Sequence, residues 1–357
     1  MKSPSALSLS PARRRDGQPA QPAKSAKSEQ SANPAKSVRS ALSALPRAAF
    51  AAGLIAFALL FAVFPDRYVP VCLDGIALWA LNVLPAVFPF LFVSSLLRLT
   101  GGAEKVSRFF SPLSRALFAA GGESGYCLFM SLLSGYPVGA SLVASYRREG
   151  GAGLRETEIL ACACSVSGPL FVLGSVGAGM FGDKKTGFLI LAAHLLSALL
   201  SGVLLRFLLP RRPEATAKHA RAKEHLSLSD GVQRAAVTAI GAGGCIAVFY
   251  VLSAMLSDFG ILTPLQGLLG KIPPLAPYAE GLTKGLVEMT GGCLAVAGQG
   301  ALAPACCAFL VTLGGASLLF QQIVCLRPAG VRISLFLAVK FLQAVAAFFL
   351  CLLFCAL

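Results

Sequence analysis

YCLFMSLLSGYPVGASLVASY, residues 126–146, consists of two apolar arms around a break at Ser134-Gly135-Tyr136-Pro137. Each arm has about nine residues and covers roughly 14 Å, half of a hydrocarbon core about 30 Å thick. Beyond it, a basic joint at Tyr146-Arg147-Arg148 leads to a second apolar segment, broken at Ser167-Gly168-Pro169 and ending at Phe181. Irregular backbone at half depth survives only where protein buries it or where it lines a cavity. Arg98, Lys105, Arg108 and Arg115 precede the first segment, and Arg147, Arg148 and Arg155 follow it. Basic loops stay in the cytoplasm, so a segment with cations on both flanks is expected to enter and leave on one side. That predicts a re-entrant hairpin. Discontinuous helices meeting at the midplane point to a transporter-type binding site.

The composition agrees with a membrane setting. Of 357 residues 56% are hydrophobic and 13% charged, and the mean hydropathy is +0.73, far from a soluble domain. Apolar runs of about 17–25 residues make the spans helical, giving an all-α polytopic membrane protein. The net charge of +15 lies in a tail and in particular loops, a positive-inside pattern with no nucleic-acid partner implied. The cysteines fall in apolar segments without a C-x-x-C pair, so they are expected to be small core residues and not metal or redox ligands.

Five regions follow. Residues 1–46 form a basic, Ser/Ala/Pro-rich tail without apolar periodicity, expected to be disordered and cytoplasmic. Residues 47–81 hold a first crossing (48–64) and an interfacial amphipathic helix (71–81). Residues 82–209 hold a crossing (82–97) kinked at Pro85 and Pro89, the hairpin, a broken crossing (158–181) and another crossing (187–209). A basic cytoplasmic linker, 210–234, separates this from residues 235–357. There the plan repeats as a crossing (235–256), a hairpin (281–298) broken at Thr290-Gly291-Gly292, a crossing (301–325) broken at Gly314-Gly315, and a last crossing (333–357). Each unit is thus crossing helix, re-entrant hairpin, broken helix, crossing helix. Three crossings per unit is an odd number, so the units form an inverted repeat. Leu191 to Ala198 lines up with Leu337 to Ala344, which places Gly168 opposite Gly314 and His194 opposite Lys340. Seven crossings put the N-terminus in the cytoplasm and the C-terminus outside.

Leu133 to Ala140 (LSGYPVGA) and Ser165 to Phe171 (SVSGPLF) resemble the nucleoside-recognition, or Gate, domain family of membrane proteins, in its sporulation integral membrane protein (YlbJ-type) branch. Glu288 to Gly292 and Leu313 to Ser317 resemble the second Gate unit of that branch. The likeness covers about residues 82–349. It implies a multi-pass protein of the bacterial inner membrane, in the mother-cell or forespore membrane, linked to spore cortex formation. It also implies an architecture similar to the transport core of concentrative nucleoside transporters, with a small polar solute and a coupling cation or proton. Those transporters carry Gln and Glu in the first hairpin, where this chain has Ser134 and Tyr136.

The candidate solute and ion contacts are Ser134, Gly135, Tyr136, Pro137, Ser165, Ser167 and Gly168 at the first breaks. At the second they are Glu288, Thr290, Gly291, Thr312, Gly314, Ser317 and Gln321. Half-helix N-termini favour anionic groups and opened carbonyls favour cations. The plainer alternative is that these hydroxyls only satisfy the interrupted helices. Glu288, an acid within a predicted membrane segment, marks a functional site by default; capping a half-helix is its structural alternative. Lys340 is expected to snorkel to the interface, to pair with Glu288 or to bind an anion, and His194 to be a core imidazole or a charge partner. No catalytic triad, paired carboxylates or metal-ligand spacing occurs, so neither an enzyme nor a cofactor is expected. A permease for a small polar solute and a non-transporting scaffold of the sporulating cell both fit, and homo-oligomerisation is left open.

Overall fold

The computed structural model describes residues 34–210 and 227–357, among which every regular element is a helix. Residues 1–33 of the tail and 211–226 of the linker lie outside the described residues. Two units separate by their contacts, residues 1–58 and 59–357. Helix α1, Pro34–Val63, begins within the stretch expected to lack regular structure, and its part Ala48–Val63 is apolar.

The expected interfacial helix and second crossing are joined. Helix α2 (Pro65–Leu78) runs through one widened π turn, Trp79–Val83, into α3 (Leu84–Leu99). Pro85 has no N–H for the Leu81 carbonyl, and its ring crowds that carbonyl. The Leu84 N–H reaches back to the Trp79 carbonyl instead, so the turn widens and the helix continues. The 35 residues of this run extend roughly 50 Å, more than the thickness of a bilayer core of about 30 Å.

Helix α4 (Gly102–Phe118) precedes the first hairpin, α5 (Ser124–Ser134) and α6 (Val138–Arg148). Next come α7 (Leu154–Ala163), a π-helix (Leu170–Met180) and α8 (Lys184–Leu208), which Asp183 caps through the Lys185 and Thr186 amides. In the second half α9 (Leu228–Asp258) and α10 (Thr263–Gly270) lead to the paired α11 (Ala279–Val287) and α12 (Met289–Val296). The broken pair α13 (Ala303–Leu313) and α14 (Gly315–Leu326) and the final α15 (Ile333–Ala356) complete the chain.

Five helical runs among the described residues are long and apolar enough to cross a membrane: 65–99, 184–208, 228–258, 303–329 and 333–356. Seven crossings were expected. The two that fall short are Ala48–Val63, a shorter apolar helix, and 158–181, which the unwound residues 165–168 divide between α7 and the π-helix.

Two buried clusters hold the helices together. Phe118, Leu128, Met130, Val143, Ile159 and Leu160 belong to one. Val172, Val176 and Ile190 from the first half join Leu310, Val311 and Ala347 from the second in the other, so the halves share a core where α8, α13 and α15 pack together. Arg67 of α2 makes two hydrogen bonds to Asp258 at the far end of α9, while Leu99 of α3 lies against Gly231 near its start. The α2–α3 run and α9 are therefore antiparallel neighbours.

Candidate functional site

The Gly-Pro break leaves residues 165–168 outside any helix, and three elements close on it. The hairpin tip abuts it directly. Gly135 has φ +75° and ψ −156°, and a Cβ there would lie 2.1 Å from the Gly168 amide nitrogen. That conformation is essentially open only to glycine, and the contact is backbone on backbone. The Tyr136–Pro137 peptide is cis and turns the chain into α6.

Two side chains from distant helices satisfy what the break leaves open. The Ser167 amide donates to Nε2 of His194 at 2.8 Å. In the neutral ring the proton then sits on Nδ1, which donates to Thr312 Oγ1 at 2.8 Å. The Ser165 carbonyl accepts from the Lys340 ammonium at 2.9 Å, and the same ammonium donates to the Tyr136 hydroxyl at 2.9 Å. That hydroxyl donates on to the Thr312 carbonyl at 3.2 Å. His194 and Lys340, which the internal alignment places opposite each other, thus serve the N–H and the C=O of one break. The expected snorkelling of Lys340 does not occur: it is fully buried, 0% exposed.

Pairing of Lys340 with Glu288 does not form either. Glu288 is buried, but its two oxygens accept from the Thr290 and Gly291 amides at 2.9 and 2.7 Å. It is the N-cap of α12, where a carboxylate satisfies orphan amides and faces the positive end of the helix dipole. Tyr250 of α9 covers this turn, its ring 2.8 Å from where a Gly291 side chain would begin. Across from it, Gly314 and Gly315 both have positive φ, and a Cβ on Gly315 would lie 2.6 Å from the Gly285 carbonyl and 3.2 Å from the Met289 amide. The second pair of helices therefore meets the second break as the first hairpin meets the first.

Several hydroxyls and amides around these breaks make no hydrogen bond within the protein although they are buried: Ser134 Oγ, Ser165 Oγ, Ser317 Oγ, both polar atoms of Gln321, and Gln322 Oε1. Each such group costs about 1–3 kcal/mol unless something else supplies a partner. Gln321 shares with Tyr136 and Pro137 the lining of a small cavity of about 20 Å³, room for roughly one water. Trp79, Val87, Ala239 and Ala242 close its other sides. Farther along the same walls, α3, α6 and α9 enclose an open cleft of about 480 Å³. Ser94, Ser141 and Ser145 line it, with Arg98, Arg148 and Gln233 toward one end. On α6 the lining positions 138, 141, 145 and 148 recur every three or four residues, which makes this one helix face. Arg98 pairs with Glu149 at 2.7 Å beside the cleft.

One contact had no forewarning in the sequence. Glu158, buried on α7, accepts two hydrogen bonds of 2.7 Å from the Arg332 guanidinium ahead of α15. The carboxylate beside it holds the Arg332 guanidinium above its ordinary value. The pair ties the first broken helix to the last crossing helix. Glu158 stands next to an apolar run at a helix start, which resembles an ordinary boundary charge. Only the partner, 174 residues away, distinguishes it.

Residues 80–184, which contain the first hairpin and the first broken helix, match the family model Gate, described as nucleoside recognition. The chain is also 31% identical over 204 residues to the Sporulation integral membrane protein YlbJ of Bacillus subtilis (strain 168). That alignment covers 51% of this chain and 50% of the relative, so the chain spans about half the length of the curated relative it matches. No solved structure matches. The Gate match, this relative and the five apolar helices identify an integral membrane protein similar to the sporulation proteins.

Proposed function

We propose that this protein is a permease for a small polar solute, nucleoside-like in size and polarity, acting in the bacterial inner membrane during sporulation. The solute would sit between the two sets of helix breaks, which must part beyond the present cavity of about 20 Å³ to admit it. The observation that carries this is the group of buried, unpartnered polar atoms on Ser134, Ser165, Ser317, Gln321 and Gln322. Left alone, six such atoms cost several kcal/mol together. A polar solute that hydrogen-bonds to them offsets that cost and is selected by it. The cleft along α3, α6 and α9 leads toward the same hairpin tip and supplies an approach for a hydrophilic molecule.

In this reading α5–α6 and α11–α12 are re-entrant hairpins, and the halves are inverted repeats that rock against each other. The first hairpin then has both ends in the cytoplasm. Arg108 and Arg148 are exposed on either side of it. Single cysteines at these two positions, with the exposed Cys355 replaced, are expected to react with a membrane-impermeant maleimide from the cytoplasmic side only. Labelling from opposite sides would make the first hairpin a crossing and remove the inversion.

Transport itself is tested by uptake of radiolabelled nucleosides into proteoliposomes. Wild-type protein is expected to take up at least one nucleoside above empty vesicles. Gln321→Leu removes an amide that forms no bond inside the protein, so it leaves the melting temperature within about 2 °C while lowering uptake at least tenfold. Unchanged uptake in Gln321→Leu would take this residue out of the site. Wild-type vesicles inert toward the whole nucleoside panel would overturn the nucleoside-like reading.

A further inference from the structure

We infer that the Lys340 ammonium is a built-in cation, permanently seated in an oxygen-lined position that the first hairpin and the first broken helix would otherwise offer to a free ion. The Ser165 carbonyl lies just past the end of α7, where the helix dipole presents partial negative charge and the carbonyl has lost its helical partner. Tyr136 adds a hydroxyl oxygen from the hairpin tip, and its ring faces the ammonium at 5.2 Å from the centroid. Both oxygens stand 2.9 Å from the Lys340 nitrogen. No carboxylate forms an ion pair with Lys340 among the described residues. Desolvating a charge completely without an ionic partner is expensive, so in the seat the backbone and hydroxyl dipoles have to offset that cost, as they do for ions in discontinuous membrane helices.

Two consequences follow for the chain. The seat is filled by a side chain of the last helix, so an inorganic cation such as Na⁺ has no place there and does not stabilise the protein. The ammonium also ties α15 to the hairpin tip and to the first break at once, across 204 and 175 residues of sequence. This goes beyond the permease proposal and does not require it, because the test below involves no uptake.

Purified full-length protein in detergent is melted in NaCl, KCl or choline chloride at equal ionic strength. Wild type is expected to give one melting temperature in all three; a rise specific to Na⁺ or K⁺ would overturn the inference. Lys340→Ala deletes the atoms of propylammonium. It is expected to melt well below wild type and to recover by a few degrees in propylammonium, but not in propanol at the same concentration. Equal responses to propylammonium and propanol would mean that only volume had been lost, and would also overturn it. Should Lys340→Ala yield no folded protein, Lys340→Met keeps the unbranched chain to within one atom of its length and removes the charge. A Met variant as stable as wild type would show that the seat oxygens need no cation, whereas a clear loss supports the seat.

Discussion

Gly135→Ala will disable the protein. The residue sits at φ +75° and ψ −156°, a conformation an L-side chain avoids, and the added carbon would lie 2.1 Å from the backbone nitrogen of Gly168. Neither obstacle is a flexible side-chain tip that swings aside. The backbone strain costs about 1–3 kcal/mol and the overlap about 1–3 more, so the loss is about 2–6 kcal/mol. The hairpin tip must lift off the break. Lifting it separates the Tyr136 hydroxyl from Lys340 and from the Thr312 carbonyl. The expected outcome is little monodisperse protein in detergent, or a strongly lowered melting temperature, with uptake gone. Gly174→Ala is the matched control. That glycine lies in the π-helix with nothing within 4 Å of a new Cβ, and it should behave as wild type. A Gly135→Ala protein that melts like Gly174→Ala would mean that the tip does not rest on the break.

The second large effect is expected at Glu288. Removing its side chain in Glu288→Ala leaves the Thr290 and Gly291 amides without acceptors inside a buried turn. At about 1–3 kcal/mol for each orphaned amide, the cost is about 2–6 kcal/mol. Glu288→Gln offers one carbonyl oxygen for two donors and turns an amide N–H₂ toward them, so it should fall between Ala and wild type. Glu288→Asp keeps the charge but shortens the reach; as a good N-cap residue it should recover part of the loss. Melting temperatures in the order wild type, Asp and Gln, then Ala identify a cap. If Gln instead melts like wild type and abolishes uptake, the carboxylate acts through its charge on solute or ion, and the capping role is secondary.

The sequence alone was sufficient for the membrane class and for three of the four interruptions. The second hairpin breaks at Glu288, and Thr290-Gly291-Gly292, where the break was expected, form the first turn of α12 because the Glu288 carboxylate caps the Thr290 and Gly291 amides. Hydropathy and glycine or proline punctuation act over a few neighbouring residues, so Ser134 to Pro137, Ser167 to Pro169 and Gly314-Gly315 are visible without a partner. Most of the polar residues named as candidates also lie at those breaks, because a broken membrane helix must carry groups that satisfy its backbone. The joining of residues 65–99 was not visible, since a π turn absorbs proline crowding that usually ends or kinks a helix. Nor was the direction in which the charged side chains point. Glu288 turns back onto its own helix start, Lys340 reaches the first hairpin, and Glu158 finds Arg332. The Glu288 cap is local to its own helix, whereas the Lys340 and Glu158 contacts depend on the rotation of a helix about its axis and on which helix packs beside it. Local pattern leaves both free, and only the packing of α7, α8, α13 and α15 against one another settles them.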